Sequence, residues 1–322
     1  MPLPLAFVKD IGTQPKSITF KNNNLVLWKS KNKIVCMPDR CSHRYAKLSD
    51  GVVVNNKIEC PYHGWTFNDS GKCTKIPQLL PNKKIPKACA IEPINIAIHD
   101  GIVWEKEETI SKLPSFEKEY KTFYITDKSF CLPYSYQLQI ENLLDPAHLH
   151  FVHDGFQGNK QNACPIKLKT YKETNLELFG YFVHQDDTTP DLSIRFIKPG
   201  LVDVSVIDKS NKKLIRKNVI YVSPATADTC NVLFRDITIN DAFVSLHENT
   251  LFSRNLFEDN YKLLNKTIID LITEQDIKVI KSQTYNIQDY CKVKYVLPAE
   301  ADRMIVAFRK WYCSSAVHNN TS

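Results

Sequence analysis

The spacing of apolar positions changes along the chain. In "GVVVNNKIEC" (51–60), three valines, an Asn-Asn pair and Lys-Ile-Glu predict a β-hairpin. In "EPINIAIHDGIVWEKEE" (92–108), an alternating apolar strand, a turn at Asp100-Gly101 and a second short strand predict another, with His99 as a surface residue of the turn region. Past Tyr134 the period lengthens: Leu138, Ile140, Leu143, Leu144 and Ala147 fit a helix entering His148, with Pro146 placed to kink or restart it. Between 165 and 252, "LELFGYFVHQ", "LSIRFIKPG", "LVDVSVID", "NVIYVSPAT" and "TCNVLFRDITI" alternate with polar or Pro/Gly turns and predict an antiparallel sheet. Residues 254–287 return to helical spacing through Leu264, Ile268, Leu271, Ile272, Val279 and Ile280. No repeat, low-complexity stretch or long linker breaks this order, and the domain boundary falls near Lys112 to Phe116, around Pro114.

Composition narrows the setting. A length of 322 residues suits two domains, and 43% hydrophobic with 24% charged residues is the balance of a folded, soluble protein. The formal charge of +7 comes from scattered lysines on a solvated surface and suits an acidic partner protein; no nucleic-acid motif accompanies it. The N-terminus lacks the pattern of a signal peptide, and no apolar run approaches the roughly 20 residues that span a bilayer, so the expectation is a cytoplasmic protein without a transmembrane segment. Ten cysteines in a reducing compartment read as thiols or metal ligands.

Four ligand-type residues stand out: Cys41, His43, Cys60 and His63, in a Cys-x-His pair and a Cys-x-x-His pair joined by the first hairpin. Zinc accepts the same donors, but zinc fingers place two cysteines on one side and two histidines on the other. Here each loop carries one of each, so both thiolates can meet one iron and both imidazoles the other, the ligation of a Rieske [2Fe-2S] cluster. Pro61, Gly64 and the rings of Tyr62 and Trp65 are placed to shield it from water. Cys36, Cys73, Cys89, Cys131, Cys164, Cys230, Cys291 and Cys313 form no further paired pattern and are expected as core thiols.

A second concentration, Asp145, His148, His150 and His153, lies within nine residues. His148 and His153 are five apart and can face one side if the helix ends between them. Two imidazoles and one carboxylate on one face of a metal leave positions open, as in non-haem iron(II) oxygenases. His150 points elsewhere and reads as a pocket or surface histidine. Composition alone leaves Glu258, Asp259, Asp270, Glu274 and Asp276 as candidates for the carboxylate.

The paired motifs at 41–65, "ENLLDPAHLHFVH" (141–153) and "EQDIKVIKSQ" (274–283) follow one another as in Rieske non-haem iron oxygenases, and the resemblance spans nearly the whole chain. With "AFRKWY" (307–312), the motifs look most like the branch containing chlorophyllide a and pheophorbide a oxygenases. The resemblance implies an α+β chain: an all-β Rieske domain over 1–113, then a helix-grip catalytic domain over 114–322 whose antiparallel sheet walls the substrate pocket and which holds mononuclear Fe(II). It maps the acidic ligand onto Asp276, seven residues before Gln283, with Glu274 as rival. It makes Asp145 a bridge from a cluster histidine, His63, to His148 across the subunits of a head-to-tail homotrimer.

The expected activity is a monooxygenase that takes O2 and a small hydrophobic or cyclic substrate, tetrapyrrole-like ones included, to hydroxylated, demethylated or desaturated products. No Gly-x-Gly-x-x-Gly follows a strand, so electrons are expected from an external ferredoxin or NAD(P)H-dependent reductase. The alternative is a Rieske electron-transfer protein without oxygen chemistry.

Overall fold

A computed structural model describes residues 2–106, 110, 113–116, 123–186, 189–239, 251–287 and 289–319. Lys112, one end of the expected boundary region, lies outside the described residues, as do the side chains of Glu258 and Asp259. The chain forms two compact units, 1–115 with 223–227 and 116–222 with 228–322. The short return segment joins the first unit through the Lys21 and Asn22 amides, which donate to the carbonyls of Pro224 (3.0 Å) and Ala225 (2.8 Å).

The first unit consists of three small antiparallel sheets. Strands β1 (Pro4–Phe7), β9 (Ile96–His99) and β10 (Ile102–Glu105) form one, and β2 (Lys16–Phe20), β3 (Asn23–Ser30) and β4 (Lys33–Pro38) a second. The third comprises β5 (Val52–Val54), β6 (Lys57–Glu59), β7 (Thr66–Phe67) and β8 (Cys73–Lys75). The predicted hairpins are both present. Asn55 and Asn56, with φ of 49° and 63°, close β5 onto β6, and Asp100 and Gly101, with φ of 53° and 71°, close β9 onto β10. Both pairs occupy the two left-handed positions of a tight hairpin turn, where Asn, Asp and Gly are tolerated best. His99 departs from its expected place: it ends β9, half buried, with Nε2 3.2 Å from the Pro114 carbonyl. The core under the third sheet contains Cys41, Cys60 and Cys73 beside Trp28, Ile58 and Phe67.

The second unit is built on a seven-stranded antiparallel sheet. The five predicted strands are β13 (Glu177–His184), β14 (Asp191–Ile197), β15 (Leu201–Ile207), β16 (Leu214–Pro224) and β17 (Cys230–Ile239). Two more complete it: β11 (Phe123–Leu132) beside β17, and β12 (Ile166–Glu173) on the opposite edge. Helices α1 (Tyr136–Leu144), α2 (Leu149–Val152), α3 (Leu251–Thr284) and α4 (Arg303–Asn319) accompany the sheet. Met304, Ile305, Ala307 and Phe308 of α4 pack with Leu178, Phe182 and Phe196 of the sheet and Ile280 of α3 in one core.

Two polar clamps position the helices. On α3, the Asn265 amide donates to Asp236 (2.7 Å) and Thr126 (3.2 Å) and accepts from Arg216 (3.0 Å), and both Asn265 and Asp236 are buried. On α4, Arg309 donates to Glu141 of α1 (2.9 Å) and to the carbonyls of Tyr290 and Val293. The expectation that the remaining cysteines are core thiols holds for Cys36, Cys73 and Cys230, while Cys89 and Cys164 are half-buried and three positions depart from it altogether. Cys291 and Cys313 form a disulfide with Cα atoms 5.5 Å apart, and Cys131 is exposed. The α4 packing that carries Cys313 back over 289–297 creates the pair; no local motif announces it.

Candidate metal centres

In the first unit, the loops bearing Cys41 and Cys60 share one backbone plan. The Cys41 amide donates to Ala46 (2.8 Å) and the Tyr45 amide to the Cys41 carbonyl (2.9 Å); likewise Cys60 donates to Trp65 (2.8 Å) and Gly64 to Cys60 (3.1 Å). The fifth residue of each turn is left-handed, Tyr45 at φ 58° and Gly64 at φ 71°. On this common turn the histidine is the third residue of one loop and the fourth of the other, so the rings of His43 and His63 meet at 68° with centroids 4.6 Å apart.

Further contacts fix the loops. The Trp65 indole stacks on His43 at 4.6 Å and 2°, Ser42 donates to the Cys89 carbonyl (2.7 Å), and Gln78 donates to the His63 carbonyl (3.0 Å). Tyr62 leans on His63 at 3.8 Å yet stays 57% exposed, so it covers one ring face only. Burial pushes the Cys41 thiol up to about 11, and the adjacent Cys60 thiol adds to that. Desolvation, then His43 and Arg44, hold His63 below the usual imidazole value. The His63 Nδ1 atom is buried without a hydrogen bond. Two buried neighbouring thiols, two converging imidazoles and an orphaned ring nitrogen fit a [2Fe-2S] group: cationic iron would take the protons' place on sulfur and supply the missing partner of nitrogen.

In the second unit, α1 stops at Leu144, and Asp145 caps it in extended conformation. The Asp145 carboxylate accepts from the Ala147 amide (2.7 Å), which turns the chain into the short α2 after His148. The break puts His148 and His153 on one side, rings 5.2 Å apart. Gly158 sits so close to α2 that a Cβ there would lie 2.6 Å from the Leu149 carbonyl oxygen. Both Nδ1 atoms are committed: His148 to the Asp145 backbone carbonyl (2.7 Å), His153 to the Gln275 amide oxygen (2.9 Å). With both Nδ1 atoms held there, the Nε2 atoms are the ring nitrogens left to meet a metal.

Asp276 meets those Nε2 atoms. Its Oδ1 lies 3.2 Å from His153 Nε2 and 3.9 Å from His148 Nε2. The three donor atoms fall within 4.8 Å of one another, and Oδ1 is buried without a hydrogen bond. Burial alone would lower His153, but the Asp276 carboxylate and Gln275 outweigh it and hold the ring above its usual value. This donor set, with Nδ1 atoms already anchored, fits a mononuclear iron. Of the other acids on α3, Glu274 is exposed, roughly 200° around the helix from Asp276, and Asp270 pairs with Lys128. Gln275 escaped the sequence reading, because an amide beside an acid on a helix has no ligand-type signature.

A cavity of about 320 Å³ opens at these donors, lined by His148, His153 and Asp276 together with apolar side chains such as Leu192, Ile194, Val232 and Phe234. His150 is a pocket residue: it is buried, lines this cavity and meets His184 edge-on at 5.4 Å. A second cavity of about 520 Å³ shares Asn142, Asp145, His148 and Asp276 with the first. Burial raises the Asp145 carboxyl, against the opposing pull of His148 and the Ala147 amide.

Known proteins place these features in one class. Residues 1–87 match the Rieske [2Fe-2S] domain, and 134–209 match the vanillate O-demethylase oxygenase C-terminal domain. The chain belongs to the Rieske non-haem iron oxygenase family. Among its relatives, TIC 55, chloroplastic, of Pisum sativum is 30% identical over 225 residues, covering 67% of this chain and 40% of the relative. Pheophorbide a oxygenase, chloroplastic, of Oryza sativa subsp. japonica is 28% identical over 353 residues, covering 96% of this chain and 63% of the relative. The chain thus spans less than two thirds of the length of either. The crystal structure of dicamba monooxygenase bound to dicamba shares the fold, with a TM-score of 0.78, 16% identity and 98% of both chains covered. Among the described residues, no helix is long and apolar enough to cross a membrane.

Proposed function

We propose that this chain is the oxygenase component of a Rieske-type monooxygenase, which hydroxylates, or oxidatively demethylates or desaturates, a small hydrophobic or cyclic organic substrate. One observation carries the reading: His148, His153 and Asp276 converge at an apolar cavity in a chain that also bears the Cys41, His43, Cys60 and His63 loops. When bound, the two iron groups would supply a one-electron store and a site of oxygen activation. The protein's part is orientation and exclusion of water. The Asp145 carbonyl and Gln275 aim the two Nε2 atoms, Asp276 supplies the charge, and the aliphatic wall holds an apolar substrate body against them. A Rieske electron carrier without oxygen chemistry would have no use for this second donor set.

Asp145 is the proposed link between the centres, its carboxylate 3.7 Å from His148 Nδ1. Its place where the two cavities share residues suits a partner subunit's cluster histidine approaching from the second cavity, as a head-to-tail trimer would arrange. Electrons would come from a separate ferredoxin or reductase. A product screen with tetrapyrroles, sterols, aromatics and N-methyl compounds, run with a reconstituted ferredoxin system, tests the reading. An oxygenated or demethylated product that requires both irons supports it. Iron-replete protein that turns over no compound of any class, while still exchanging electrons with ferredoxin, favours the carrier.

A further inference from the structure

The sheet lines the cavity mainly through alternate residues, as a strand's period of two favours: Val204 and Val206 on β15, Arg216, Asn218 and Ile220 on β16 with Ile215 at its start, Val232 and Phe234 on β17. Polar side chains on this wall are His184, Arg216 and Asn218. His184 holds the Pro190 carbonyl through Nδ1 at 3.0 Å, and Arg216 is engaged by Asp236 and Asn265. Asn218 is different. It is only 8% exposed, and its Oδ1 is buried with no hydrogen-bond partner. Its neighbour on β15 is Val204, which offers no side-chain donor. A buried amide oxygen in an aliphatic wall is costly unless something donates to it.

We propose that Asn218 is a specificity-determining residue whose amide oxygen accepts a hydrogen bond from an O–H or N–H of the substrate. The cavity then selects a compact cyclic molecule with an apolar body and one such donor, such as a phenol or a ring amide. It discriminates against the O- or N-methylated counterpart, which would leave Oδ1 unpaired. The bond also fixes which edge of the molecule is held at the wall and so which edge is turned toward His148, His153 and Asp276. This inference rests on the reading of the cavity as the substrate pocket.

The test is binding without turnover, by ligand-observed NMR on the metal-replete protein, with four matched pairs: phenol and anisole, indole and N-methylindole, 7-hydroxycoumarin and 7-methoxycoumarin, theobromine and caffeine. The donor-bearing member of at least one pair should bind about tenfold more tightly. Asn218→Leu, close in size and free of the unpaired oxygen, should bring that ratio to near one, whereas Asn218→Asp, which keeps an acceptor in place, should preserve it. A ratio near one in every wild-type pair, failure of all donor-bearing members to bind at millimolar concentration, or an unchanged ratio in Asn218→Leu would overturn the role of Asn218. Val206→Trp, at a half-buried cavity position, separates the two readings. If it leaves binding intact, the ligands sit elsewhere and the substrate-pocket reading falls with the proposal. If it blocks binding while Asn218→Leu keeps the preference, only the role of Asn218 falls.

Discussion

The loops at Cys41 and Cys60 repeat one turn, closed by the backbone hydrogen bonds of each loop. The His148, His153 and Asp276 donors come instead from a broken helix and from a helix more than a hundred residues later, and side chains aim them. A site made of backbone turns is sensitive to what φ a residue tolerates and indifferent to many side chains. A site made by tertiary packing depends on single partners of single atoms. The first should therefore fail through conformation and the second through chemistry.

The largest expected effect breaks the second site alone. Asp276→Ala should lose about one iron per chain and all product formation while the visible absorption of the Rieske cluster persists; metal analysis with absorption spectra checks both. Glu274→Ala should keep the full iron content, and the opposite pair of results would move the third ligand to Glu274. Next, Asp145→Asn preserves an oxygen for the Ala147 amide but removes the charge, so both metals should remain and oxygen-dependent turnover should nearly vanish. Turnover coupled as in wild type would take Asp145 out of the electron path. Gln275→Leu frees His153 Nδ1, and iron affinity, measured by competition with a chelator, should fall roughly 10–100-fold. The smallest effect belongs to the first site. Gly64→Ala forces a side chain into φ 71° with Pro77 Cγ 3.1 Å from the new Cβ, and should destabilise the Rieske unit by about 1–2 kcal/mol in chemical unfolding. Tyr45→Gly at the equivalent position relieves that strain while loosening the unfolded chain, so its change should be the smaller of the two.

The same contrast governs what the sequence alone makes legible. Cys41, His43, Cys60 and His63 were legible as a set because the loops are local and the Asn55-Asn56 turn that joins them is written in the chain. The five central strands were legible from alternation. Strand β12 was not, because its Ile-Lys-Leu-Lys alternation is broken by a register shift between Leu168 and Thr170 and gives way to mostly polar residues. Asp276 stood out from Glu274 only by family resemblance, since both are acids on one helix and only tertiary packing decides which side turns inward. Gln275 and the Cys291–Cys313 pair left no local trace, for the same reason.

The Asn265 clamp bears on all of this. Asn265 and Asp276 are eleven residues apart on α3, which is roughly three full turns plus about 20°. They share a face, one seated in a buried polar socket of the sheet and the other among the imidazoles. The socket works like the indexing pin of a shaft. An amide that can bond only in one orientation sets the angular position of the rod, and about 16 Å farther along that angle decides whether a carboxylate or an isoleucine faces the cavity.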